Sequence, residues 1–169
     1  DPAIAEQIAA YGKQVLGLIP AERIRKIAFE RPHPAVVSGF RELRDLTSTV
    51  ADILDTLGFD TAIPASELPP LQPGQRMVGP AVTIRHVPAR LSSGFNIASG
   101  KPPPQLGGRD QVSYCQRGDV MVIEANGIRD ASNFGGLMAT SVKEAGIDGL
   151  VVDGAVRDVA NMRAMKLNV

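Results

Sequence analysis

The chain has 169 residues, 44% hydrophobic and 21% charged, which suits one folded domain with a sizeable core plus an extra N-terminal segment, and is too apolar for a disordered chain. With 18 basic and 18 acidic side chains there is no global field to draw in nucleic acid or an anionic membrane, so neither is an expected partner and any anion site must be local. No run approaches the roughly 18 apolar residues of a membrane-spanning helix, and Asp1-Pro2-Ala3 does not open a signal peptide. Cys115 stands alone, which excludes an intrachain disulfide framework and fits a reducing compartment; a cytoplasmic location is expected.

Ile4, Ile8, Tyr11, Val15 and Leu18 recur at helical spacing and predict a helix over 4–18. Pro20 can start a second short helix through Ile27, ended by the linker Arg31-Pro32-His33-Pro34, because a residue before proline is pushed out of the α region. Val50, Ile53, Leu54 and Leu57 share one face of a helix over 46–57, which Gly58 stops. Residues 64–75 are proline-rich and read as a surface loop; the β-branched stretch 78–87 reads as a strand. Residues 92–108, rich in Gly, Pro and Ser, read as a long excursion.

Gly118-Asp119 turns into Val120-Met121-Val122-Ile123, a continuous apolar run of the kind buried on both faces of a parallel sheet. A helix over 134–145 stopped by Gly146, a strand over 149–154 and a helix over 158–165 follow. This order predicts a βαβα unit in an α/β fold, whose ligands collect where the strands end. Two loops converge there, 124–134 and 153–157.

At that edge Gly135-Gly136-Leu137-Met138 opens a helix, leaving backbone N–H groups without helical partners at the positive end of the dipole. Such a turn can bind a carboxylate, and paired glycines allow close approach to the main chain; it reads equally as a tight loop-to-helix junction. Arg157 carries a planar fork suited to a carboxylate or keto oxygen, and its permanent charge bars it from acting as a base. Asp158 offers a hard oxygen ligand for Mg²⁺ or Mn²⁺, ions that keep several waters and take one or two carboxylates. Taken alone, the pair also reads as a helix-start charge and its exposed neighbour.

Three segments together, 118–122, 135–137 and 151–158, resemble the RraA-like superfamily, which includes the 4-hydroxy-4-methyl-2-oxoglutarate / 4-carboxy-4-hydroxy-2-oxoadipate aldolases and the RraA regulators of ribonuclease E. The resemblance extends to the Thr49-Val50-Ala51-Asp52-Ile53-Leu54-Asp55 helix and the Gly79-Pro80-Ala81-Val82-Thr83 strand. It implies a swivelling-type layered β/α domain over 46–169, with residues 1–45 as an N-terminal helical extension and the sheet continuing past Val169. In the aldolases the Arg-Asp pair follows the first Gly of the turn by 22 residues, as Arg157 follows Gly135 here. The resemblance therefore implies a divalent-metal-dependent C–C lyase acting on a 2-oxo acid. Amides of Gly135, Gly136, Leu137 and Met138 would hold the pyruvyl carboxylate, Arg157 would contact the keto oxygen and steady the enolate, and Asp158 would ligate the metal. It also implies a homotrimer or dimer of trimers, with further metal carboxylates from a neighbouring subunit. The other role in the family is a non-catalytic protein that regulates a ribonuclease by protein contacts.

Met138 departs from the Leu usual in that turn. His33 and His86 lack metal-ligand spacing, and Arg85, Arg90, Arg109 and Arg129 read as solvated loop arginines, with Arg129 the best placed to face a substrate. Glu124 and Asp153 read as turn caps or supports for metal-bound water, capping being favoured for Asp153, and Cys115 as an inert thiol. No G-x-G-x-x-G occurs, which excludes a methyltransferase with a glycine-rich nucleotide loop after its first strand, and no P-loop occurs, which speaks against a nucleotide triphosphatase.

Overall fold

A computed structural model describes residues 2–11, 30–101 and 107–169. The end of the first expected helix, the second one and Pro102-Pro103-Pro104 lie outside the described residues. Helix α1 is Pro2–Tyr11, α2 is Pro34–Glu42 and α3 is Leu46–Thr56. Strand β1 is Ala81–Arg85, followed by α4, Ser93–Ala98, and α5, Gly108–Tyr114. Then come β2, Val120–Phe134, α6, Gly136–Ala145, β3, Gly149–Val156, and α7, Val159–Ala164.

The three strands form a parallel sheet in the order β1-β2-β3, with Ala81 opposite Val120 and Val120 opposite Gly149. The expected α/β organisation is therefore present, with two corrections. The proline pair expected to make a linker instead starts a helix: Pro34 takes an early position in α2, where its missing N–H costs nothing, and His33 caps it by accepting from the Ala35 N–H at 3.2 Å. The stretch 124–134, expected as a loop, is an irregular continuation of β2 that pairs with β3 at Ile128, Ser132 and Phe134, with register shifts between those points.

One face of the sheet carries the core. Helix α5 lies against β1, β2 and α6, and α6 against α7. Met121, Ile123, Val142, Leu150 and Met162 are almost completely buried there, each worth about 1.5–3 kcal/mol relative to exposure. Helix α6 ends where sequence requires: Gly146 is left-handed (φ 70°, ψ 27°), and the Ile147 N–H returns to the Val142 carbonyl at 3.2 Å. Elsewhere, among the described residues, lies an apolar groove of about 450 Å³ lined by Phe40, Leu46, Val50, Leu54, Ile63 and Val78, among others.

Candidate active site

The end of β2 and the end of β3 run side by side, Phe134 opposite Val156, and the Arg157 N–H donates to the Phe134 carbonyl at 3.0 Å. This pairing delivers the Gly135 turn and the Arg157-Asp158 pair to one place. Gly135 precedes α6 in extended backbone, and the first helical bond runs from the Ala139 N–H to the Gly135 carbonyl at 3.0 Å, so the amides of Gly136, Leu137 and Met138 lie ahead of the ladder. The Gly136 amide donates to Asp158 Oδ2 at 2.7 Å. Arg157 Nε stands 3.8 Å from the same oxygen, with the Arg157 side chain 75% exposed and that of Asp158 49% exposed.

The glycine pair has a reason beyond room for a ligand. A Cβ on Gly135 would sit 2.9 Å from Arg157 Nε and 3.1 Å from Asp158 Oδ2, and one on Gly136 would sit 3.2 Å from both Asp158 Oδ2 and Asn161 Nδ2. The protein's own Arg and Asp already use the close approach. Asp158 achieves it in a left-handed conformation (φ 62°, ψ 34°), and its main-chain carbonyl accepts from Asn161 and Met162 to start α7. Of the other turn residues, Leu137 points its side chain into solvent, and Met138 packs its side chain against the core.

The remaining polar residues sort differently. Arg85 pairs with Glu124 at 3.2 Å, and Asp153 Oδ2 accepts from the Gly127 N–H at 3.1 Å, capping a turn. Arg90, Arg109 and Arg129 are exposed. His86, at the end of β1, sets its Nδ1 3.1 Å from Asn133 Oδ1; neither Asn133 nor Asn161 stood out in the sequence. Cys115 is a thiol at neutral pH, its pKa pushed up to about 12 by burial and by nearby Asp119, with Arg31 partly opposing. Among the described residues no group of three or more His, Cys, Asp or Glu side chains could hold a metal, and no helix is long and apolar enough to cross a membrane.

A parallel α/β sheet with a glycine turn, an Arg and an Asp at its carboxyl edge defines the class of domain. The RraA-like family, described as Aldolase/RraA, matches residues 47–169, and the chain belongs to it. A protein of Halalkalibacterium halodurans, provisionally named as a 4-hydroxy-4-methyl-2-oxoglutarate aldolase, is 32% identical over 123 residues, covering 73% of this chain and 50% of the relative. Protein DlpA of Legionella pneumophila is 29% identical over 119 residues, 70% of this chain and 17% of that protein. The chain thus spans half or less of the length of these curated relatives. Among solved structures, Streptomyces coelicolor RraAS2, described as an unusual member of the RNase ES inhibitor RraA family, has a TM-score of 0.66 at 25% identity, over 83% of this chain and 63% of that one. A protein from Pseudomonas syringae has a TM-score of 0.63 at 24% identity over 86% of this chain and 59% of its own, and supports the fold alone.

Proposed function

We propose that the chain is part of a divalent-metal-dependent class II aldolase or decarboxylase that cleaves a C–C bond in a 2-oxo acid and releases pyruvate. The observation carrying this reading is the meeting of Arg157 and Asp158 with the amide end of α6: Asp158 Oδ2 accepts from the Gly136 N–H at 2.7 Å and lies 3.8 Å from Arg157 Nε. Family membership and the aldolase-named relative support it.

In this reading the amides of Leu137 and Met138 hold the substrate carboxylate at the helix terminus. Arg157, exposed and permanently charged, donates to the keto oxygen and stabilises the enolate left when the bond breaks. Asp158 fits a metal-ligand role: Oδ2 is tied to Gly136, while Oδ1 has no partner among the described contacts. One such carboxylate suits Mg²⁺ or Mn²⁺, which would add Lewis-acid polarisation of the substrate oxygen. Further carboxylates would come from a neighbouring copy in a homotrimer or dimer of trimers, and the reaction would be cytoplasmic, with no nucleic acid or membrane involved.

Purified protein with Mg²⁺ and oxaloacetate or a 4-hydroxy-2-oxo diacid is expected to release pyruvate, read with lactate dehydrogenase, and EDTA should stop it. Arg157→Ala should lower kcat by about 100-fold or more, the usual cost of removing one oxyanion stabiliser. Absence of EDTA-sensitive turnover with all of these substrates would sink the lyase reading. The similarity to an unusual member of the RNase ES inhibitor RraA family favours a second reading, a regulator acting by protein contacts. Asp158 favours the enzyme, since a pure inhibitor has no use for a metal ligand. Capture of a ribonuclease, together with no metal binding by calorimetry, would reverse the choice.

A further inference from the structure

The Gly135 turn stands at the end of a strand that does not hold it by a regular ladder. Beyond Glu124, β2 meets β3 only at Ile128, Ser132 and Phe134, with a register shift at each interval. Between those points side-chain ties can add order to the backbone pairing at Phe134. Asn133 lies two residues before Gly135, and its carboxamide meets two pieces of backbone and one side chain. Its Nδ2 donates to the Ala131 carbonyl at 3.4 Å, which leaves Oδ1 to accept from His86 Nδ1 at 3.1 Å. On its third side is Gly154 of β3 (φ 155°), where a Cβ would come within 2.8 Å of that same Nδ2. His86 is itself anchored, its N–H donating to the Glu124 carbonyl at 2.8 Å, and its buried Nε2 has no partner. The bond to Asn133 is the polar contact that justifies a histidine at this place.

We propose that His86 and Asn133 are positioning residues: a side-chain clamp from the end of β1 across to Gly154 that fixes the Gly135 turn against Arg157 and Asp158. Neither residue touches substrate. The part of this inference that concerns catalysis rests on the lyase reading; the part that concerns order in the turn does not.

The test is amide hydrogen exchange, followed residue by residue, in His86→Leu, Asn133→Ala and His86→Asn, the last keeping an N–H donor where Nδ1 lies. Exchange at Gly136 and Arg157, whose amides bond Asp158 and Phe134, should quicken by about tenfold in the first two variants and stay near wild type in the third, the scale set by one net hydrogen bond. Exchange at Ile123 and Leu150 should not change. With a 2-oxo acid the first two variants should raise KM more than they lower kcat, and His86→Asn should restore it. Unchanged exchange at Gly136 and Arg157, a rise spread evenly through the sheet, or no rescue by His86→Asn would overturn the clamp. A wild type without turnover defeats the lyase reading and leaves exchange to decide the clamp; quickened exchange with unmoved KM overturns its link to substrate.

Discussion

Between Val120 and Leu167 the protein is held by packing: Met121, Ile123, Val142, Leu150 and Met162 are each no more than 1% exposed. Helices α2 and α3, by contrast, bury no residue, and Phe40, Ile53 and Leu57 remain 40%, 53% and 65% exposed. That earlier region is attached by arginines reaching main-chain carbonyls and carboxylates. Arg76 donates to the carbonyls of Phe40, Arg41 and Leu43, and Arg41 donates to Val78 at 2.8 Å. Arg31 grips buried Asp119 with two bonds of 2.8 and 3.3 Å. The contrast teaches that the site is mounted on the rigid region: both of its loops leave strands whose side chains form the core.

The comparison breaks most sharply at Leu150. Leu150→Ala should cost about 2–5 kcal/mol in urea unfolding, through lost transfer energy and the cavity left behind. Next is Arg31→Leu, which strips a nearly buried carboxylate of its cation while leaving the Gln116 N–H at 2.7 Å; about 2–4 kcal/mol should be lost, and a loss under about 0.5 kcal/mol would mean that the Arg31–Asp119 pair does not help to join the regions.

A smaller effect comes from Cys115. Its pKa is raised from 9.0 to about 12, so the unfolded chain gives up the thiol proton first; the stability involved is fully present below pH 9 and is lost as pH climbs from 9 toward 12. Urea midpoints across that window should fall more steeply for wild type than for Cys115→Ala, and a thiol reagent at pH 8 should label native protein far more slowly than unfolded protein. Least affected should be Ile53→Ala on α3, within about 0.5 kcal/mol by the same unfolding assay, the behaviour of a half-exposed surface position.

The sequence displayed features whose causes are local. Gly58 and Gly146 marked the ends of α3 and α6 because a left-handed residue after a helix favours glycine, and both have positive φ, 81° and 70°. Ser92 could have announced α4, whose first turn it caps through Phe95 N–H at 3.2 Å, yet the surrounding glycines and prolines masked it. The extension of β2 was hidden because it depends on pairing with Gly154, Ala155 and Val156, far along the chain. At the site, the spacing from Gly135 to Arg157 was visible, and in the structure Gly135 lies against both Arg157 and Asp158. The direct Gly136 to Asp158 bond was not visible, nor was the contact of His86 with a residue 47 positions away, since both arise only when two loops are placed side by side.

Asp158 sets the cost of its backbone conformation against the bond that its carboxylate makes. A non-glycine residue at φ 62° is harder to fold than glycine by about 1 kcal/mol, and a bond from Gly136 to a half-exposed carboxylate returns about that much. Folding alone is nearly indifferent between aspartate and glycine at this position. Asp158→Gly should therefore leave the melting temperature within a few degrees of wild type, and under the lyase proposal it should abolish EDTA-sensitive turnover, which separates a role in chemistry from a role in stability.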